Sequence, residues 1–371
     1  MTKGEYTLIT GGAGFVGSNL ANGLAARGEP VVIADNLSRD GVRANAEWLL
    51  SRYPRLVRLE VVDIRDAEAI GQLVSMARQV FHLAAQVAVT TSLEDPALDL
   101  NTNLLGTFNI LEAIRRRATP PPLLFTSTNK VYGALKGVEV TRRGDAYCYA
   151  DGRLGINEET PLDFYSPYGC SKGSADQYVH DYARIFGIPT VVFRMSCIYG
   201  TRQFGTEDQG WVAHFARSLL ADAPITVYGS GHQVRDILWA DDLVRAMLAA
   251  MDRIDETAGE IFNIGGGPTN AVSVQRVLDR LLQVSGRRVP IHRATSRPGD
   301  QKVYISDTGK ARRVLDWHPL TPWQRGLELL FEWLESSMPP TRAPVATSSA
   351  RVAGVTAVDD ELLRELAREA P

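Results

Sequence analysis

The sequence predicts an α/β fold, a doubly wound parallel sheet joined to a smaller α/β lobe. Three observations predict it. Short apolar runs alternate with longer helical stretches through the first half of the chain. The first of these runs ends in a glycine cluster, Gly11-Gly12-Ala13-Gly14. Past Gly200 the alternation loosens into shorter, mixed segments. Strands alternating with helices imply βαβ units around a parallel sheet. Right-handed crossovers then place successive helices on both faces.

The expected strands lie at 6–10, 30–34, 56–62, 79–83, 123–126 and 190–193. The expected helices between them lie at 15–27, 42–51, 67–77, 97–117 and 168–186. The smaller lobe is expected to hold short strands at 225–228 and 261–264 with helices at 240–251 and 274–285. Residues 1–200 therefore read as the first domain and 201–335 as the lobe, the chain being free to recross between them. From 336 the composition turns to Pro, Ser, Thr, Ala and Val, which is linker-like. The apolar spacing of Val358, Leu362, Leu363, Leu366 and Ala367 suggests a short amphipathic terminal helix.

The 371 residues are 44% hydrophobic and 22% charged, with a net charge of -3, so bulk electrostatics points to neither nucleic acid nor a membrane. Cys148, Cys170 and Cys197 are too few and too scattered for a disulfide framework or a zinc site. The six histidines form no His-x-x-x-His pair, so no metal is expected. Met1–Gly4 run straight into a strand without a signal peptide, and the cytoplasm is the expected location.

Gly11, Gly14 and Gly17 stand between the first strand and the first helix with Gly-x-x-Gly-x-x-Gly spacing. Bare backbone at a helix N-terminus admits a pyrophosphate, and Phe15 and Val16 open that helix. This is the phosphate turn of a Rossmann-type fold. Asp35 ends the second strand, where a carboxylate can accept from ribose hydroxyls and repel a 2′-phosphate. NAD is therefore the expected cofactor rather than NADP. Asn36, Ser38 and Arg39 follow that strand as further candidate contacts. Asp63 and Ile64 stand where a side chain reaches the adenine, and Leu83-Ala84-Ala85-Gln86 offers small residues where the middle of a dinucleotide passes. Thr126 closes the fifth strand, and Asn103, a residue that helix interiors seldom favour, suggests a polar task near the cofactor.

Tyr168 and Lys172 are four apart at the start of a helix, hence on one face. A free tyrosine, with a pKa of about 10, is a poor base at neutral pH. A nearby ammonium and an oxidised nicotinamide both favour its phenolate. Thr128, at the carboxyl edge of the fifth strand, supplies a hydroxyl for the same reacting oxygen.

The glycine motif, Thr128, Tyr168 and Lys172 resemble the extended short-chain dehydrogenase/reductases over about 6–333. Within that superfamily several stretches are similar to the CDP-paratose 2-epimerases, also called CDP-tyvelose epimerases. These are Ser127-Thr128-Asn129-Lys130-Val131-Tyr132-Gly133, Ser166-Pro167-Tyr168-Gly169-Cys170-Ser171-Lys172-Gly173, Tyr182-Ala183-Arg184-Ile185-Phe186-Gly187, and the stretches 200–204 and 208–212. The long insertion at 134–161 resembles that family too. The resemblance implies oxidation of a CDP-hexose at carbon 2 by tightly held NAD, then reduction of the 2-keto sugar from its other face. Tyr168 would be base and then acid, Lys172 would orient and polarise, and Thr128 would steady the oxygen.

Asn129-Lys130 replaces the Asp-Glu pair that related 4,6-dehydratases carry after the catalytic threonine, which weakens a dehydratase reading. The resemblance also gives Arg235 and Arg297 as diphosphate-binding arginines. It suggests Asn129, Lys130, Ser196, Arg202, Gln203, Gln209, Trp211, Tyr228 and Asp300 as substrate-side residues. The alternatives are a UDP-sugar 4-epimerase, a nucleotide-sugar dehydratase, and a non-catalytic NAD-binding scaffold. A homodimer is expected through the helices at 97–117 and 168–186, using Leu104, Phe108, Leu111 and Ile114 on one and Tyr178, Tyr182 and Ile185 on the other.

Overall fold

β1 (Tyr6–Thr10) is buried along its whole length, because it lies between two parallel neighbours with helices over both faces. The structure is a computed structural model that describes residues 4–297 and 300–337. After β1 come α1 (Phe15–Ala26), β2 (Val31–Asp35), α2 (Val42–Arg52), β3 (Val57–Val61), α3 (Ala67–Met76) and β4 (Ala77–His82). The Asp66 carboxylate starts α3 by accepting from the N–H groups of Glu68 and Ala69.

The helix expected at 97–117 is less regular than its spacing suggested. α4 (Val89–Glu94) precedes it, and α5 (Pro96–Leu100) begins at a proline capped by Asp95. A π-helical turn, Asn101–Leu105, then interrupts the axis before α6 (Gly106–Arg115). Such turns occur often at functional sites, and this one carries Asn103.

β5 (Leu123–Thr128) leads through a short 3-10 turn into the long insertion. There β6 (Val140–Arg143) and β7 (Ala146–Tyr149) form an antiparallel hairpin. α7 (Ser166–Phe186) follows, stopped at Gly187 in the left-handed conformation, and returns to β8 (Thr190–Met195). The remainder runs β9 (Cys197–Tyr199), α8 (Trp211–Leu220), β10 (Ile225–Tyr228), β11 (Val234–Trp239), α9 (Ala240–Asp252) and α10 (Ile254–Thr257). β12 (Ile261–Ile264), β13 (Ala271–Ser273), α11 (Val274–Ser285), β14 (Ile291–Ala294), β15 (Val303–Tyr304), α12 (Gly309–Leu315) and α13 (Trp323–Ser337) complete it.

The main sheet is parallel throughout, in the order β12-β8-β5-β4-β1-β2-β3. The strand at 261–264, assigned from sequence to the lobe, is in fact its outer strand beside β8. Phe262 and Ile264 are fully buried, and α9 and α12 contribute to the same core, so the run is apolar for a covered parallel sheet. The segment after residue 200 thus feeds both sheets. In the lobe β11 is flanked by β13, β15 and β9, while β10 pairs with β14. Helices α8, α11 and α13 pack a separate apolar cluster against these strands.

Asp236 of β11 locks the lobe's irregular backbone. Its buried carboxylate accepts from the Ser196 hydroxyl and from the N–H groups of Gly267 and Ser306. Burial nevertheless pushes its pKa up to about 6. No described helix is long and apolar enough to cross a membrane. The expected terminal amphipathic helix lies outside the described residues.

The dimer face expected from sequence needs correction. Leu111 and Ile114 are fully buried in the core under α6, and Tyr182 is buried with its hydroxyl donated to Glu112 at 2.9 Å. Helical spacing alone could not separate the sheet-facing stripe from the outer one. The exposed apolar side chains of these helices are Leu100, Leu105, Phe108, Tyr178, Ile185 and Phe186.

Candidate active-site cleft

The carboxyl ends of β1, β2, β4, β5 and β8 open onto one continuous cleft. A cavity of about 610 Å³ runs along the sheet edge. A second of about 390 Å³ lies under the lobe. They meet at Thr128, Tyr168, Ser196, Cys197, Gln209 and Trp211.

The first cavity is floored by the turn between β1 and α1. Gly11 has φ +70°, and a Cβ there would lie 2.7 Å from the Ala84 backbone nitrogen. A Cβ on Gly17 would lie 2.2 Å from the Gly11 carbonyl oxygen. Both positions need glycine to bring α1 against the strand. No side chain caps α1 at Gly14, which leaves its first N–H groups facing the cavity. Phe15 and Val16 line the same wall.

At the end of β2 the Asp35 carboxylate accepts from the N–H of Ala13 at 3.1 Å and of Leu37 at 2.9 Å. Burial raises its pKa, and these bonds and the nearby Arg39 offset part of the rise. Asn36 donates to Asp63 at 3.0 Å, and the Ser38 N–H donates back to the Asn36 side chain. Asp63, held well below the carboxylate range by hydrogen bonds from Arg65, stands with Ile64 at one end of the cavity. Leu83, Ala84, Ala85, Gln86 and Thr126 line its middle. The cavity fits an extended dinucleotide. A glycine cradle opens at one helix N-terminus, a carboxylate stands at the second strand, and the buried Ser127 hydroxyl on the wall has no partner.

Tyr168 projects from α7 to the junction of the two cavities, Thr128 reaches it from β5, and Lys172, one turn along α7, lines the dinucleotide cavity alone. The Thr128 hydroxyl accepts from the Lys130 N–H at 3.2 Å and borders the same junction as Tyr168. Burial pushes the Tyr168 phenol up to about 12, against the pull of Thr128 and Arg39. Burial also lowers the Lys172 ammonium to about 7, and Asp176 and Asp99 oppose that fall. The ammonium lies 4.1 Å from the centre of the Phe125 ring.

The second cavity contains Asn129, Lys130, Tyr228, Arg235, Arg297 and Asp300. Lys130 is pulled down to about 8, by burial first and by the nearby Arg235 second. Arg235 pairs with Asp300 at 2.5 Å. Arg297 pairs with Asp208 at 3.1 Å and lies 4.1 Å over the Tyr228 ring. Two arginines and a lysine therefore face a cavity of mixed lining, with Val87, Val89, Trp211 and Phe215 beside Glu207, Gln209 and Gln233.

Two sequence assignments do not reach the cleft. Arg202 has φ +67°, which turns its side chain outward, and its guanidinium stacks 3.8 Å from the centre of the Trp48 ring. Asn103 lies behind the wall, where it accepts from the Gln86 N–H at 2.8 Å and donates to Asp99 at 3.1 Å and Ser171 at 3.0 Å. Gln203 lines the dinucleotide cavity rather than the one under the lobe. Sequence reasoning passed over Cys197, a buried thiol pushed up to about 11 at the junction, and Asp99. The one sequence signal for Asp99 was an acid inside the otherwise apolar Pro-Ala-Leu-Asp-Leu turn.

The chain is 40% identical over 338 residues to CDP-paratose 2-epimerase of Salmonella typhi, covering 89% of this chain and 99% of that protein. It is 30% identical over 355 residues to dTDP-glucose 4,6-dehydratase of Neisseria gonorrhoeae, covering 90% of this chain and 96% of that one. Among solved structures, UDP-glucose 4-epimerase of Thermus thermophilus in complex with NAD superposes with a TM-score of 0.76. That pair is 31% identical over 90% of this chain and 100% of the other. The model of the NAD dependent epimerase/dehydratase family matches residues 7–265. With its glycine turn, Asp35, Thr128, Tyr168 and Lys172 all lining the dinucleotide cavity, the chain belongs to the NAD dependent epimerase/dehydratase family.

Proposed function

We propose that this protein epimerises a CDP-hexose at carbon 2, using NAD held along the sheet edge. One observation carries the choice among the family's reactions. The residues after Thr128 in the cleft are Asn129 and Lys130, which offer no carboxyl group for an elimination of water. The similarity to CDP-paratose 2-epimerase of Salmonella typhi supports carbon 2 and a CDP-sugar.

Gly11, Gly14 and Gly17 would hold the cofactor's pyrophosphate, Asp35 its adenosine ribose, and the wall from Leu83 to Gln86 its centre. When bound, NAD supplies the acceptor, and later the donor, of the electron pair leaving and returning to the sugar carbon. Tyr168 takes the proton of the carbon-2 hydroxyl, and Thr128 holds the same oxygen. The proton returns from Tyr168 to that oxygen after the keto sugar has turned its other face to the cofactor. Oxidation and reduction cancel, and every oxygen of the substrate is kept. Arg235 and Arg297 would hold the diphosphate after exchanging Asp300 and Asp208 for phosphate oxygens.

CDP-paratose incubated with the protein is expected to give a product of unchanged mass with an inverted carbon-2 proton signal by NMR. Loss of water from the product would return the dehydratase reading, and inversion at carbon 4 of a UDP-sugar the 4-epimerase reading.

The assembly we assign is a homodimer in the cytoplasm. The three free thiols suit a reducing compartment. Phe108 and Tyr178 meet edge to face at 6.2 Å between ring centres, and both are exposed on the face shared by α6 and α7. Leu105, Ile185 and Phe186 extend that patch, and a two-fold axis would cover it with its own copy. Light scattering at micromolar concentration is expected to give twice the chain mass, and Phe108→Glu to give a monomer.

A further inference from the structure

Asp99 is fully buried near the end of α5, just before the π-helical segment, and it lines neither cavity. Three donors converge on its carboxylate. Gln86 Nε2 and Asn103 Nδ2 donate to Oδ1 at 3.2 and 3.1 Å, and the Ser171 hydroxyl donates to Oδ2. The two amide nitrogens can only donate, and the Ser171 oxygen already accepts from Asn103 Nδ2 at 3.0 Å, so the arrangement suits an ionised carboxylate. The group is therefore an anion, buried beside the residue that precedes Lys172. Asp99 itself is raised by burial and lowered by Ser171 and Lys172. Its charge acts on both members of the catalytic pair, supporting the Lys172 ammonium and opposing the Tyr168 phenolate.

The other charges around this point are accounted for. Asp176 on α7 is paired with Arg194 of β8 through two bonds of 2.9 Å and still supports the Lys172 ammonium, ahead of Asp99. His82 of β4, pushed well below its ordinary range by burial, is uncharged and held by the hydroxyls of Thr10 and Thr107. Arg39, from the loop after β2, faces Asp35 and Tyr168. Asp99 is thus the carboxylate near Lys172 that no arginine pairs with among the described residues.

From the three converging donors and this placement, we infer that Asp99 is a positioning residue that sets the working pH of the Tyr168 and Lys172 pair from behind the cleft wall. It keeps Lys172 protonated at the cost of a more basic Tyr168. Asp99 and Asn103, four residues apart, share the face that meets Ser171 of α7. The inference rests on the proposed role of Tyr168 as the base.

Asp99→Asn tests it. The network has room for the amide, because the Ser171 hydroxyl can turn to the Tyr168 carbonyl at 3.2 Å and accept instead. Removing one negative charge lowers the proton affinity of both groups. Both limbs of the bell-shaped pH profile for CDP-paratose turnover are expected to move to lower pH together, by roughly one unit. In the NAD-loaded protein, the tyrosinate absorbance lost in Tyr168→Phe is expected to titrate at lower pH in Asp99→Asn than in wild type. Limbs that stay in place while kcat falls would mean a structural role only and would overturn the inference, as would an unmoved tyrosinate titration. If Asp99→Asn does not fold, Asp99→Ser, which leaves room for a water to take the three donors, carries the same expectation. The absorbance titration needs no substrate. Failure of CDP-paratose to react would therefore overturn the substrate reading and leave this inference standing or falling on the titration.

Discussion

Tyr168→Phe is expected to cut turnover by about a thousandfold, within the range that a positioned general base contributes. Fold and NAD content are expected to stay as in wild type. The ring is buried and stays in place, with the Thr128 hydroxyl at the same junction. That hydroxyl borders both cavities and can turn to water or substrate. Without a cofactor, burial holds the phenol near 12 and the lysine near 7, so the site disfavours both charges that the reaction uses. A cationic nicotinamide ring would favour the phenolate, tying proton removal to the oxidised state of the cofactor. Turnover then rises with pH as Tyr168 loses its proton and falls as Lys172 loses its own. Steady-state kinetics of the variant within tenfold of wild type, about 1.4 kcal/mol of barrier, would remove Tyr168 from the role of base.

That constellation was legible because its parts are local in sequence. The glycines of the first turn, Asp35 at the next strand end and the four-residue step from Tyr168 to Lys172 each follow from backbone geometry. The strands β1 to β5 and β8 were legible for a similar reason, since apolar runs bounded by helices have few other readings. What escaped depends on distant partners. β11 reads as polar at Arg235 and Asp236, and only the remote Ser196, Gly267 and Ser306 explain why a carboxylate is buried there. β12 is four residues long, too short for periodicity to say which sheet it joins. Arg202 looked like a sugar ligand because it sits beside a matching motif, and its backbone turn toward Trp48 is not written in residue types. Asp99 was passed over because the donors that hold it come from 13 and 72 residues away as well as from Asn103 one turn on.

Asp176→Asn is expected to cost about 3–5 kcal/mol of stability, the range for breaking a buried ion pair by removing one partner. Arg194 is bound to both oxygens of Asp176, and their side chains are 3% and 0% exposed. The amide keeps one oxygen that can accept from the guanidinium, but the second bond and the opposite charge are lost, with the Tyr132 hydroxyl at 3.2 Å as the other partner. Tyr132 cannot compensate, because it already donates to Asn263 at 2.8 Å. This ion pair ties the catalytic helix α7 to β8, so the same substitution withdraws a negative charge that supports Lys172. The cost should therefore appear twice, as an earlier midpoint in urea and as an alkaline limb of the rate profile moved to lower pH. Pairing the change with Arg194→Met removes the orphaned charge and is expected to restore most of the lost stability. It is not expected to return the alkaline limb, because Lys172 still lacks its anion. A single variant as stable as wild type would show that Arg194 finds another counter-charge. A double variant no more stable than the single would place the cost in packing rather than in the unpaired charge.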